Sequence, residues 1–294
     1  MDAIELTIAP RVRPVGNGEV LRLLPFRTHR MVGPFIFCDL MGPASLDPGR
    51  GVDIDAHPHI GLATVTYLFA GRLVHRDSTG AVQTIEPGAV NWMTAGAAVA
   101  HTERSAAADR SAALPHHGMQ TWVALPDEAE NEPASFEHTA AGDVPTECFG
   151  SATVRVAVGS SWGLTSPVTV ASDTLLAEVD LGHDGAGTLT IDAAQRQRAV
   201  VAVDGDLTLA GHTLAAQHMA VLAPGTTPEL RGAGRAIVLG GAPVGTRYIW
   251  WNFVHSDRDA LDAAREAWMA RDWPEIPADN DPWIPAPPKS LGAG

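Results

Sequence analysis

The chain has 294 residues, of which 45% are hydrophobic and 18% are charged, and its formal net charge at pH 7 is −14. A chain of this length can bury a large core and suggests about two domains. Its acidic balance repels phosphate backbones, so direct binding of nucleic acid is not expected. No stretch approaches the roughly 18 apolar residues of a membrane-spanning helix, and no secretory leader is recognisable. We therefore expect a cytoplasmic globular protein without a membrane partner.

The first half of the chain has the pattern of short strands joined by turns. Residues 62–69 are rich in β-branched and aromatic side chains, and shorter strand patterns follow at 72–75 and 82–85. Strands that recur about every ten residues predict an all-β sandwich or barrel. The run His75-Arg76-Asp77 lacks the Asn and the glycine-rich loop that would accompany a kinase catalytic loop. We interpret it as a strand end that enters a turn.

The second half repeats this pattern, with strands predicted at 199–203, 207–209 and 218–223. Phe69–Arg72 and Val203–Asp206 can be superposed as the same hairpin, which suggests a weak internal repeat.

One region has a convincing helical pattern. Ser256 is the predicted N-cap, with Asp259 as the return partner of a capping box. Three apolar side chains then share one face of the helix: Leu261, Ala264 and Trp268. Pro274 is expected to end the helix, and the proline-rich residues 273–288 are expected to form an extended tail laid over the barrels.

These patterns predict three parts: an N-terminal barrel at 1–135, a second barrel at 136–250, and a C-terminal helix with its tail at 251–294. The first boundary falls where charged and polar residues occur without periodicity. Near the second boundary, Trp250, Trp251 and Phe253 are expected to pack between the barrels rather than to bind a ligand.

Two short motifs carry the chemistry of the sequence. His57 and His59 are two positions apart, and so are His101 and Glu103. Residues i and i+2 of a strand point to the same face, so each pair projects two ligands into one space. A solitary histidine is more often solvated or hydrogen-bonded than a ligand, but these two pairs support each other because each alone leaves a site incomplete. We predict that the four residues bind one transition-metal ion.

Three nitrogens and one carboxylate oxygen, without thiolates, suit Fe(II), Mn(II), Ni(II), Cu(II) or Zn(II). The spacing of Gly51, His57-Pro58-His59 and Gly71 also matches the cupin signature. The glutamate that normally follows the second histidine of a cupin is missing, and Glu103 is the candidate to replace it.

At this point the chain resembles the pirin family. The resemblance is carried in order by five segments: His57–Tyr67, His75–Gly80, Pro87–Gly96, His101–Glu103 and His117–Pro126. In the second half it is looser and depends on Arg247–Val254.

The resemblance implies a bicupin, with two β-barrels facing each other and iron held in the first by His57, His59, His101 and Glu103. Pirins usually carry Arg and Glu where Ile60 and Ala63 stand here. Neither position is a ligand, but the pocket mouth or the surroundings of the ligands would lose a charge pair. In the second half, three histidines do not form such pairs, so that barrel is expected to hold no metal: His183, His212 and His218.

Pirins resemble quercetin 2,3-dioxygenases, which implies Fe(II), a flavonol or other small phenolic substrate, and dioxygen. In that interpretation Glu103, as ligand or displaced base, accepts the proton of the substrate hydroxyl. The alternative is a metal-dependent redox-sensing regulatory or binding protein, with a protein partner and no dedicated small-molecule substrate. That alternative predicts an affinity for the partner that changes with the oxidation state of the metal. A purely structural barrel would keep its metal content unchanged when His57 or Glu103 is replaced by Ala.

Overall fold

The computed structural model describes residues 2–288, which form two β-barrels and one α-helix. Each barrel combines a seven-stranded sheet with a four-stranded sheet. The predicted all-β bicupin with a C-terminal helix is therefore confirmed. Within the described residues, no helix is long and apolar enough to cross a membrane.

The first twelve strands are β1 Ile4–Ile8, β2 Arg11–Val15, β3 Gly18–Leu24, β4 Phe35–Leu46, β5 Asp53–His59, β6 Leu62–Ala70, β7 Leu73–Asp77, β8 Val82–Ile85, β9 Val90–Thr94, β10 Val99–Arg104, β11 Leu114–Ala124 and β12 Ser135–Thr139. A short 3-10 helix at Ala107–Ser111 precedes β11. The larger sheet of the first barrel has the order β12-β9-β6-β11-β4-β3-β2, and the smaller sheet has the order β5-β10-β7-β8.

The remaining elements are β13 Thr146–Phe149, β14 Ala152–Val158, β15 Ser160–Ser161, β16 Leu164–Thr165, β17 Thr174–Asp180, β18 Gly187–Thr190, β19 Gln197–Ala202, β20 Leu207–Leu209, β21 His212–Leu214, β22 Met219–Leu222, β23 Glu229–Gly232, β24 Arg235–Gly241, β25 Tyr248–Trp250, β26 Phe253–His255 and α1 Arg258–Met269. The second barrel has the sheet orders β1-β22-β19-β24-β17-β14-β13 and β18-β23-β20-β21. Two-stranded sheets join β15 to β16 and β25 to β26.

The predicted division at residue 135 stays a prediction, but pairing crosses it in both directions. Strand β1 pairs with β22 of the second barrel, and β12 pairs with β9 of the first. The predicted third part, 251–294, extends past the described residues, because 289–294 lie outside them.

The two large sheets face each other across a shared apolar core. Buried side chains of the first barrel, such as Val65 and Met119, belong to one cluster with Val201 and Ile237 of the second. Burial of such side chains contributes about 1.5–3 kcal/mol each, which holds the barrels together. A separate cluster of apolar residues fills the second barrel.

Helix α1 begins differently from the prediction. Asp257 is the N-cap, and its side chain accepts a hydrogen bond from the backbone N–H of Asp259. The Ser256 hydroxyl donates instead to the buried carboxylate of Glu130 at 2.6 Å, so the predicted Ser256 cap is wrong. The predicted buried face of Leu261, Ala264 and Trp268 is confirmed. The helix ends at Met269, before Pro274, because Arg271 adopts a left-handed conformation with φ of +60°.

The C-terminal segment packs on the first barrel rather than between the barrels, so the expected role of Trp250, Trp251 and Phe253 is wrong. These rings form a cluster with α1 and with Trp273 and Trp283 of the tail. Phe253 of β26 forms an isolated β-bridge with Ile60, the residue that follows β5. Glycine permits this approach, because a Cβ at Gly61 would lie 1.9 Å from the Val254 carbonyl oxygen. The tail then bridges to Ala56 through Trp283.

Candidate metal centre

The smaller sheet of the first barrel assembles the predicted site residues. Strand β10 lies between β5 and β7. In its register His101 is opposite His57 on one side and opposite Asp77 on the other, while Glu103 is opposite His75. Side chains of residues paired across antiparallel strands share a face, so the i,i+2 pairs of all three strands point into the same barrel.

Three of the four predicted ligands form a compact cluster. The ligand atoms of His57, His59 and His101 all lie within 4.8 Å of one another. Among residues 2–288, these three side chains form the cluster that could hold a metal ion. The three residues are only 8%, 1% and 1% exposed. Buried imidazoles that converge in this way could hold one metal ion.

Backbone carbonyl groups orient two of these rings. Nδ1 of His57 lies 2.9 Å from the carbonyl oxygen of Asp55, and Nδ1 of His59 lies 3.0 Å from that of Asn252. A carbonyl oxygen only accepts, so each Nδ1 carries the proton and each Nε2 keeps its lone pair. Hydrogen bonds of this kind are typical of metal-binding histidines, because they fix the tautomer and the ring orientation.

The contact between His59 and His101 fits a bound cation. Their Nε2 atoms are 3.2 Å apart. The Nε2 atom of His59 carries only a lone pair, so it needs a proton or a cation on its other side. The separation is compatible with two metal–nitrogen bonds of about 2.1 Å to one ion.

Burial keeps the triad in its ligand form. Burial lowers the pKa of His57 to about 4, and it lowers the pKa of His59 and of His101 well below the usual value. Neighbouring histidines lower the pKa of each ring further, because one positive charge disfavours another. The imidazoles are therefore neutral at pH 7, as metal ligands must be.

Glu103 lies beside the triad but outside the compact cluster of nitrogen atoms. Its Oε1 atom is 2.9 Å from the hydroxyl of Thr66, which is also 2.8 Å from Oε1 of Gln120. One hydroxyl proton serves one acceptor at a time. Burial raises the pKa of Glu103, although His75 and Thr66 partly oppose that rise. The carboxyl group is therefore tuned toward accepting and holding a proton.

A cavity of about 420 Å³ opens onto His57 and Glu103. Its volume lies within the range of small-molecule sites, roughly 300–1,000 Å³. One wall is the stacked pair Phe37 and Trp122, whose ring centroids are 4.1 Å apart with an interplanar angle of 13°. The cavity thus combines aromatic residues in one wall with polar groups near His57.

A charged pair lies on the same wall. Arg22 donates to both carboxylate oxygens of Asp39 at 2.8 Å, and its guanidinium carbon is 4.4 Å from the centre of the Phe37 ring. Burial raises the pKa of Asp39, and the hydrogen bonds from Arg22 oppose that rise. The C-terminal segment closes another side of the cavity with Trp251, Asn252 and Ile284.

The two departures from the family pattern do not lie at this cavity. Ile60 packs in the cluster formed by the C-terminal aromatic residues, and Ala63 lies in the core between the barrels. Neither is among the residues that line the cavity. The charge pair that these two substitutions remove is therefore not missing from the mouth of the cavity.

Sequence reasoning missed several contributors to the site. The sequence pattern predicts only a strand end and a turn at His75 and Asp77, although their i,i+2 spacing is a usable signal. The carbonyl group of Asn252 and the wall residues Arg22 and Phe37 had no local signal, because their contacts join distant parts of the chain.

Comparison with known proteins agrees with this architecture. The family model for pirin matches residues 18–123, and the model for the pirin C-terminal cupin domain matches residues 178–273. The chain belongs to the pirin family. A pirin-like protein of Caulobacter vibrioides is 40% identical over 97% of this chain and 99% of its own length.

Two further similar proteins carry enzyme names. A Pseudomonas aeruginosa protein named "Putative quercetin 2,3-dioxygenase" is 35% identical over 96% of this chain and 89% of its own length. The crystal structure of a quercetin 2,3-dioxygenase from Acinetobacter baumannii matches with a TM-score of 0.89 and 32% identity, and covers 98% of this chain and 97% of that one. The triad and these relatives together imply a metal in the first barrel of this pirin.

Proposed function

We propose that this pirin is a mononuclear metal-dependent dioxygenase that acts on quercetin-type flavonols. The observation that carries the proposal is a buried triad of neutral histidines beside a small-molecule cavity that has an aromatic wall and is lined by His57 and Glu103. The names of the relatives from Pseudomonas and Acinetobacter support the substrate class.

In this proposal His57, His59, His101 and Glu103 hold the ion. The donor set suits Fe(II), Mn(II), Ni(II), Cu(II) or Zn(II), and the resemblance to pirins favours Fe(II). The ion supplies Lewis acidity, which lowers the pKa of a bound hydroxyl group, and the redox chemistry that a reaction with dioxygen needs. Hydrogen bonding to Thr66 keeps the Glu103 carboxyl group in place while it is not engaged with the ion.

The chain's own residues would bind and deprotonate the substrate. Because Trp122 and Arg22 cover the two faces of the Phe37 ring, this ring can offer its edge to a planar flavonol, and edge-to-face contacts between aromatic rings are favourable. Glu103 accepts the proton of the flavonol hydroxyl, and its buried position, which raises its pKa, suits that role. The electron-rich flavonolate then consumes one dioxygen, its heterocyclic ring opens, and one carbon monoxide leaves.

The test is an anaerobic preparation loaded with ferrous iron and mixed with quercetin. On admission of oxygen we expect loss of the flavonol absorbance together with release of carbon monoxide. His57→Ala protein and metal-free protein serve as controls and should show neither. Loaded wild-type protein that leaves the flavonol unchanged would contradict the proposed activity. The redox-sensing alternative predicts instead that partner affinity changes with the oxidation state of the ion.

A further inference from the structure

Strand β7 contributes a third pair of polar residues with i,i+2 spacing, His75 and Asp77. His75 is 3% exposed and Asp77 is fully buried. Nε2 of His75 lies 2.9 Å from Oδ2 of Asp77, and its Nδ1 lies 3.3 Å from Nδ1 of His101. An unbroken series of hydrogen-bonding atoms therefore leads from Asp77 through His75 to the triad.

The direction of these hydrogen bonds is set at Asp77. Its Oδ1 atom accepts from the backbone N–H groups of Thr79 and Ala81 at 2.8 and 3.2 Å, and from the Thr79 hydroxyl at 2.6 Å. These donors hold the carboxylate in one orientation with Oδ2 toward His75. A carboxylate only accepts, so His75 donates through Nε2.

The tautomer of His101 follows from this arrangement. A neutral His75 that donates through Nε2 has only a lone pair at Nδ1, so His101 must donate through its own Nδ1. The Nε2 atom of His101, which faces Nε2 of His59, is then free of a proton.

We propose that His75 and Asp77 are a positioning dyad that holds His101 in the tautomer required for binding the ion through Nε2. His57 and His59 obtain the same tautomer from backbone carbonyl groups, whereas His101 depends on side chains. The role of the dyad rests on the metal site proposed above, but not on flavonol chemistry.

The substitution Asp77→Asn tests the direction of the hydrogen bonds. Its amide oxygen can still accept from the turn at Thr79, while its NH₂ group faces His75 and turns Nε2 of that ring into an acceptor. His75 then donates through Nδ1, and His101 carries its proton on Nε2, where the ion would bind. We expect affinity for Ni(II) and Co(II) to fall about 10–100-fold, as is typical when a hydrogen-bond partner of a ligand is lost.

The affinity is measured by competition with a chromophoric chelator, and the visible spectrum of the Co(II) protein should change with it. His75→Phe is a second variant, which retains a ring against Phe136 but removes both hydrogen bonds. We expect it to weaken binding as well, so the role of the dyad can be decided even if Asp77→Asn fails to fold.

A control variant separates the dyad from a general effect of removing a carboxylate charge. Asp109→Asn alters a carboxylate that pairs with Arg72, outside the dyad. It should bind Co(II) like wild type. Wild-type affinity and spectrum in both dyad variants would overturn the proposal, and so would an equal loss in Asp109→Asn.

Nitrogen-15 NMR of metal-free wild-type protein measures the tautomers directly. We expect the proton of His101 on Nδ1 and that of His75 on Nε2. Protonation of His101 at Nε2 would overturn the role of the dyad, whether or not the protein binds an ion. The expected tautomers in a protein that binds no ion would support this hydrogen-bond direction and contradict the metal site alone.

Discussion

His59 and Asn252 lie 193 residues apart in the chain, yet Nδ1 of His59 donates to the backbone carbonyl oxygen of Asn252 at 3.0 Å. The segment that follows the second barrel thus orients a proposed metal ligand of the first. The tail continues this attachment, because Asp279 accepts a hydrogen bond from Thr102 at 2.7 Å, between the two ligand positions of β10. The C-terminal segment is therefore part of the site's framework.

We expect Asp279→Ala to lower the free energy of unfolding by about 1–3 kcal/mol, because the fully buried Thr102 hydroxyl loses its acceptor. Urea denaturation followed by circular dichroism measures the change. Asp281→Ala is the matched control, since its ion pair with Arg271 is exposed and should contribute less than about 1 kcal/mol. Equal losses in the two variants would contradict this role of Asp279.

Metal content should depend more on the histidines than on Glu103. His57→Ala removes one of three clustered nitrogen atoms and should leave well under half of the wild-type metal after dialysis. Glu103→Gln keeps an oxygen donor and should retain more of the ion, but it cannot accept the substrate proton, so turnover should be lost. Elemental analysis and the quercetin assay give the two readouts, with the exposed His212 replaced by Ala as control. The expectation fails if both variants lose metal equally.

The aromatic wall should affect the binding of substrate and not of metal. Phe37→Leu retains apolar volume but removes the ring whose edge is available to a substrate in the cavity. An edge-to-face contact contributes about 0.5–1.5 kcal/mol, so the KM for quercetin should rise roughly 2–10-fold while the metal content stays unchanged. Phe149→Leu in the second barrel is the matched control. An unchanged KM would show that the substrate does not use this wall.

Acid should destabilise the metal-free protein through its buried histidines. Above pH 6.5, His57 is neutral in both the folded and the unfolded state. Between pH 6.5 and about 4 the unfolded chain binds a proton that the folded protein, with its lowered pKa, does not bind, so stability falls as the pH falls. The difference between those pKa values corresponds to roughly 3 kcal/mol at the acid end of this window.

Urea denaturation at pH 7 and pH 4.5 measures this effect, with His57→Gln for comparison. Wild type should lose about 2 kcal/mol more than the variant over that interval. The comparison is needed because burial raises the pKa of Glu103 and of Asp39, and both groups act in the opposite direction. The exposed His183→Gln should behave like wild type. A His57→Gln protein that loses as much stability as wild type would contradict the prediction.

Local periodicity predicted a large share of the fold. The strand pattern at 62–69 became β6, and 82–85 became β8. The two segments proposed as a repeated hairpin are not hairpins, because the strands on either side belong to different sheets. They do have equivalent places, since each joins a large-sheet strand to a small-sheet strand around a glycine, Gly71 or Gly205. These features depend on residues that are close together in sequence. Their side-chain size and turn conformation decide whether a strand or a turn forms.

The sequence by itself determined the i,i+2 pairs His57/His59 and His101/Glu103, because alternation along a strand is a property of the backbone. Only the tertiary structure decided which strands became neighbours, and so brought His75 and Asp77 beside His101. It also overrode a local preference, since Ser256 donates to Glu130, 126 residues away, instead of capping α1. A buried carboxylate such as that of Glu130 needs hydrogen-bond donors, and tertiary packing decides which donors lie near it. A local sequence pattern does not contain that information.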